Sequence, residues 1–71
     1  MNALSTVKIG QLQKVVCLQT EDNAILQKLM AFGILPGSNL VLEQRFPSYI
    51  IMVGRTRTAL DQETAQTIFV E

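Results

Sequence analysis

At 71 residues the chain has room for one small domain, which buries only about 60% of the surface its unfolded form exposes. A hydrophobic fraction of 48% against 17% charged residues excludes a disordered chain. Six basic residues (Lys8, Lys14, Lys28, Arg45, Arg55, Arg57) balance six acids and are scattered along the sequence, so there is no basic field of the kind that attracts nucleic acid or a membrane surface.

A single cysteine, Cys17, excludes an internal disulfide framework and fits a reducing compartment. The N-terminus, MNALSTVKIG, lacks a long apolar core behind a basic start, so no signal peptide is expected. No run approaches the roughly 18 apolar residues of a transmembrane helix. These features predict a cytoplasmic protein with no direct membrane insertion, whose link to any membrane is made through a partner.

In chain order, Met1 to Gly10 is a lead-in, with Ser5 a candidate cap for a short turn and Leu4, Val7 and Ile9 as plugs for one end of a barrel. Gln11 to Gln19 is β-rich around KVVCL and predicts a strand with Val16 and Leu18 inward, and Val15 and Cys17 on the other face. Asp22 is the candidate N-cap of a helix, with Glu21 and Asp22 favouring the positive end of its dipole. Ile25, Leu29 and Phe32 follow helical spacing, with Leu26 and Met30 alongside; Leu26, Leu29 and Met30 read as core.

The stretch Leu26 to Gly37, LQKLMAFGILPG, organises the rest. Gly33 stands where a helix leaves through a left-handed residue, with Ile34 then placed to touch Leu29 in a Schellman close. Leu35-Pro36-Gly37-Ser38 predicts a type II turn, Pro36 setting φ at the second position and Gly37 supplying positive φ at the third. A strand over Asn39 to Phe46 follows, with Leu40, Leu42, Gln44 and Phe46 on one face and Val41, Glu43 and Arg45 on the other. Pro47-Ser48 connects it to Tyr49–Val53.

Gly54-Arg55 suits a two-residue type II′ hairpin, and that turn sets the register. Val53 faces Thr56, Ile51 faces Thr58 and Tyr49 faces Leu60 on the inner side; Met52 meets Arg57 and Ile50 meets Ala59 on the outer side. Asp61 is placed to cap a one-turn helix over Gln62–Gln66, and Thr67 to Glu71 closes the fold with Ile68 and Val70 inward. The predicted fold is mainly β: a small, partly closed barrel of about five strands with one substantial helix, spanning residues 1–71 as a single domain.

The leucine-rich helix ending in (L/M)-x-x-(F/L)-G-(I/L)-x-P-G, followed by an alternating strand, resembles the FeoA family. So do Arg57-Thr58-Ala59-Leu60, Glu63-Thr64-Ala65 and Ile68-Phe69-Val70-Glu71 downstream. The resemblance implies an SH3-like barrel, shared with the C-terminal domain of iron-dependent repressors of the diphtheria-toxin-repressor type. It also implies an accessory role in bacterial ferrous iron uptake, with the cytoplasmic GTPase region of a FeoB-type transporter as partner. Two features depart from the family pattern: the hairpin glycine, Gly54, sits at the first turn position rather than the second, and the Pro47-Ser48 connection is short.

Chemistry is sparse. With no histidine and one cysteine, a tetrahedral transition-metal site within one chain is not expected, and Cys17 lacks a base to activate it. Ser5, Ser38 and Ser48 sit at caps or turns. Gly10, Gly33, Gly37 and Gly54 serve turns and form no phosphate-binding loop. The expectation is a non-enzymatic binding module with no cofactor. A nucleic-acid-binding small barrel is the rival, opposed by zero net charge and 6% aromatic residues. A free-standing relative of the repressor C-terminal domain is a third reading, with no helix-turn-helix ahead of the barrel to read DNA. The candidate interaction surface is Ile50 and Met52, flanked by Glu43, Arg45 and Arg57, with Phe69 likewise out of phase with its inward neighbours; it serves self-association or docking on a transporter, unless the helix or lead-in covers these residues.

Overall fold

A computed structural model describes residues 1–71. Six strands make one antiparallel sheet in the order β1-β6-β2-β3-β4-β5. The strands are β1 (Asn2–Ala3), β2 (Leu12–Leu18), β3 (Asn39–Gln44), β4 (Tyr49–Val53), β5 (Thr56–Leu60) and β6 (Ile68–Val70). The helix α1 (Asn23–Ala31) lies between β2 and β3, and the one-turn α2 (Gln62–Ala65) lies between β5 and β6. The mainly β fold with one substantial helix agrees with expectation; the added strand is the two-residue β1, which pairs with β6 through Asn2–Val70 and Ala3–Phe69.

The chain forms α1 for the expected reasons. The Asp22 side chain accepts the Ala24 N–H at 2.9 Å, and Leu29 is fully buried. The helix closes as a Schellman motif: the Gly33 N–H donates to the Met30 carbonyl at 3.0 Å, and the Ile34 N–H donates to the Leu29 carbonyl at 2.9 Å. Gly33 has φ +80°, and Ile34 is fully buried. The type II turn follows, with Gly37 at φ +94° and the Ser38 N–H donating to Leu35 at 2.9 Å.

β2 is shared by two halves of the sheet. Leu12, Gln13 and Lys14 pair with β3, whereas Val15, Cys17 and Leu18 pair with β6. Between Val15 and Cys17 the register slips by one residue, a β-bulge at Val16. The bulge reverses the expected phase. Val15 is 1% exposed, opposite Val70, while Val16 is half-buried; Leu18 still packs on the core, opposite Ile68.

A second bulge falls in β3 at Glu43, since Leu42 pairs with Ile51 but Gln44 pairs with Ile50. Leu40 and Leu42 are inward as expected. Beyond the bulge the alternation inverts, so Phe46 is 87% exposed rather than inward, and the Arg45 side chain turns toward the lead-in.

The lead-in plugs the barrel with Leu4 and Val7 only. Ile9 is exposed, because Gly10 (φ +88°) turns the chain and donates its N–H to the Leu42 carbonyl at 2.8 Å. The short 3-10 turn Leu4–Thr6 has no side-chain cap from Ser5; the Thr6 hydroxyl donates to the Ala3 carbonyl instead. On α1, Met30 lies on the solvent side and is exposed, while Ile25 and Phe32 pack on the core beside Leu29.

Two predictions follow from these local geometries. A Cβ at Gly33 meets only the Val53 Cγ1 at 3.8 Å, an ordinary contact, so the constraint there is φ and not space. Gly33→Val should cost about 1–3 kcal/mol, and Gly33→Asn distinctly less because Asn tolerates the left-handed region. Thermal melts of the two variants check this; equal losses would mean that φ is not the cause. In the same assay Val15→Ala should cost about 2 kcal/mol, with Val16→Ala well below it, the reverse of what strict alternation implies.

Candidate protein-interaction surface

The β4–β5 hairpin has the register that Gly54-Arg55 predicts: Tyr49–Leu60, Ile50–Ala59, Ile51–Thr58, Met52–Arg57 and Val53–Thr56. Gly54 takes φ +60°, as the first position of a type II′ turn requires. Tyr49, Ile51, Thr58 and Leu60 are buried on the inner side, and Val53 packs against the core, although its neighbour Thr56 is exposed. Ile50 and Met52 stand on the outer side, each half-buried.

The register across four strands builds an outer row that the hairpin alone does not reveal. Leu12 on β2 pairs with Val41 on β3, Val41 with Met52 on β4, and Met52 with Arg57 on β5. Leu12 is 64% exposed. Ile50 and Ala59 form the next row. An apolar strip of Leu12, Val41, Met52 and Ile50 therefore runs over the outer face.

One ion pair crosses this strip. The Arg57 Nε donates to the Glu43 Oε1 at 2.7 Å, from β5 to β3, with β4 between them. This hydrogen bond, reinforced by the carboxylate's charge, raises the Arg57 pKa above its ordinary value. The pair is solvent-exposed, so salt screens it, and its main effect is to hold a charged group beside Ile50 and Met52.

Arg45 does not join that rim. Its guanidinium donates from Nε to the Ser5 carbonyl at 2.9 Å and also donates to the Val7 carbonyl, fastening the lead-in across the barrel end. Phe69 is half-buried on the outer side of β6, paired with Cys17 and with Ala3, which places it across the strand order from Ile50 and Met52. The structure thus brings Ile50, Met52 and Arg57 together and sets Arg45 and Phe69 elsewhere. Gly33, Pro36, Gly37 and Gly54 occupy their predicted turns. Leu12 was the residue missed: its outward phase shows only once Gln13 and Val15 are known to point inward.

A cleft of about 380 Å³ opens at the opposite end of the hairpin, lined by Phe46, Pro47, Tyr49 and Asp61 among others. Asp61 is committed there to capping α2: its Oδ1 accepts the Thr64 N–H at 2.7 Å. That hydrogen bond lowers the carboxyl below its ordinary 3.8. No group of three or more histidine, cysteine or carboxylate side chains is placed to hold a metal ion. Cys17 lies near the Met1 sulfur at 3.6 Å and the Gln19 amide at 3.8 Å, with no base beside it.

Because the folded-state pKa of Asp61 is depressed, its contribution to stability is present above the ordinary carboxylate value and drains away as pH falls through the folded one. Wild type should exceed Asp61→Asn in stability at neutral pH, and the gap should close well below 3.8. Urea unfolding midpoints at the two pH values measure it; a gap that does not change with pH would show that the charge is irrelevant to the cap.

Comparison with known proteins agrees with this geometry. The FeoA domain model matches residues 2–71. An iron uptake regulatory protein (FeoA) of known crystal structure superposes with a TM-score of 0.87 at 28% identity, covering 99% of this chain and 93% of that one. FeoA of Stenotrophomonas maltophilia, described as a procaryotic SH3 domain protein and solved with zinc, aligns at 24% identity and a TM-score of 0.81 over 96% of this chain and 87% of its own. IdeR of T. acidophilum shares the fold at 18% identity and a TM-score of 0.89; this chain covers 32% of its length. No curated protein matches the sequence. The chain belongs to the FeoA family, SH3-like proteins associated with ferrous iron transport.

Proposed function

We propose that this protein is a non-enzymatic, cytoplasmic accessory factor of ferrous iron uptake that acts as a single unit, docking on the cytoplasmic GTPase region of a FeoB-type transporter. Membership of the FeoA family supplies the setting. The observation that carries the docking reading is the outer apolar strip of Leu12, Val41, Met52 and Ile50, bordered by the Glu43–Arg57 pair. An apolar centre with a polar rim is the usual layout of a protein-binding patch. No helix is long and apolar enough to cross a membrane, so the membrane-side partner is reached by contact.

The mechanism is binding alone. Contact with the GTPase region alters its nucleotide turnover, assembly or gating without chemistry on this chain. Zero net charge and scattered basic residues argue against nucleic acid as the partner.

The double variant Ile50→Lys, Met52→Lys tests the surface. Both side chains are half-buried on the outer side, so the fold should survive, as read by circular dichroism. Pull-down of the purified transporter GTPase region should fall at least tenfold. A folded double variant that still binds would remove this face from the reading.

A further inference from the structure

The last strand of the sheet order, β5, is a free edge. In a hairpin closed by two residues, Val53 and Thr56 exchange hydrogen bonds, and so do Ile51–Thr58 and Tyr49–Leu60. The main-chain groups of Thr56, Thr58 and Leu60 therefore point at β4, and those of Arg57 and Ala59 point away from the sheet. Neither Arg57 nor Ala59 takes part in any main-chain hydrogen bond outside the regular elements, and both residues are exposed. Two donors and two acceptors stand in a row on an edge of five residues.

Natural edges are guarded by charged side chains, prolines, bulges or covering loops. β5 contains no proline, and its register with β4 is unbroken. Its single charged side chain, Arg57, is drawn back over the outer face by Glu43 at 2.7 Å and does not shield the edge.

The sequence about Thr58 says what fits this edge. Counting outward from Thr58, Arg57 and Ala59 lie at one residue either side, Thr56 and Leu60 at two, and Arg55 and Asp61 at three. We propose that β5 pairs antiparallel with β5 of a second copy of this chain about a two-fold axis at Thr58, giving a homodimer with one continuous sheet. Arg57 of each copy then exchanges two hydrogen bonds with Ala59 of the other, so all four free groups are satisfied. No arginine faces an arginine. Just beyond each end of this five-residue ladder, Arg55 of the hairpin turn comes nearest Asp61 of the other copy, which caps α2 through Oδ1 alone, so opposite charges flank the axis on both sides. Centring the axis on Arg57 instead opposes the two arginines directly, which disfavours that register.

The axis runs perpendicular to the sheet, so the outer faces of both copies turn the same way and their Ile50–Met52 strips lie on one side. The contact is narrower than a standard protein interface, so the dimer is reversible and sensitive to salt. It requires no transporter, and its test is separate from that of the docking face.

Amide hydrogen exchange on the protein alone, across a range of concentrations, reads the edge directly. The Thr56, Thr58 and Leu60 amides should be protected at every concentration. The Arg57 and Ala59 amides should exchange freely when dilute and become protected as sedimentation equilibrium shows dimer forming. Arg55→Asp, at an exposed turn position, sets like charges near each other beyond both ends; it should weaken the dimer roughly tenfold at low salt and by less at high salt. A protein that remains monomeric with both amides exposed overturns the proposal. So does a dimer in which those two amides still exchange freely. Protection of Arg57 and Ala59 that appears only on adding the transporter GTPase region to a monomeric protein also overturns it, and assigns the edge to that partner.

Discussion

The barrel depends on the hydrogen bonds that fasten the Gly33–Ser38 corner to Val15. The Gly37 N–H donates to the Val15 carbonyl at 2.8 Å, and the Val15 N–H donates to the Ser38 carbonyl at 2.8 Å. The Ser38 hydroxyl donates to the Gly33 carbonyl at 3.0 Å and accepts the Leu35 N–H at 3.3 Å. A corner that stops a helix and starts a strand leaves several main-chain groups without regular partners, and here they bond to one another or to β2. Val15 is also the point where β2 passes from pairing with β3 to pairing with β6. The helix stop, the turn and the junction between the two halves of the sheet are thus one assembly, with Ile34 and Val15 buried within it.

That assembly explains which parts of the fold can be read from sequence. Gly33, Pro36 and Gly37 are residues whose backbone preferences are strong and local, so the helix stop and the turn are legible residue by residue. The Asp22 and Asp61 caps are legible for the same reason, as each bonds an N–H two or three positions ahead. The Gly54-Arg55 turn fixes a whole hairpin, because a two-residue loop leaves no freedom in register.

What was not legible is the phase of the longer strands. Alternation assigns faces only while the ladder is unbroken, and a single inserted residue inverts everything beyond it. The bulge at Val16 exchanges the roles of Val15 and Val16, and the bulge at Glu43 sends Phe46 to solvent. Neither position carries glycine, the one residue whose presence in a strand announces a bulge. Apolar content misleads as well. Ile9 and Met30 are as hydrophobic as the residues beside them that form the core, and only the turn at Gly10 and the position of Met30 around the helix decide against them. Arg45 is the functional counterpart: a strand charge placed by alternation on the outer face becomes the side chain that holds the lead-in.

The outer face was legible because it rests on the hairpin, and its extension to Leu12 was hidden because it rests on the bulged strand. A barrel of 71 residues has few apolar side chains to spare from its core, yet Leu12, Val41, Ile50 and Met52 are placed outside it. They belong neither to the buried core nor to the partly buried residues packed against it. The Glu43–Arg57 pair adds little to stability in high dielectric. Its geometry matters more: spanning from β5 to β3, it lays a charged group and the aliphatic stem of Arg57 across β4, leaving Met52 and Ile50 half-buried rather than bare. An exposed ion pair costs little to break, so it keeps an apolar strip soluble without closing it to a partner. The same reach withdraws the arginine from the edge of β5. One inexpensive interaction therefore sets how far both the outer strip and the β5 edge are left uncovered.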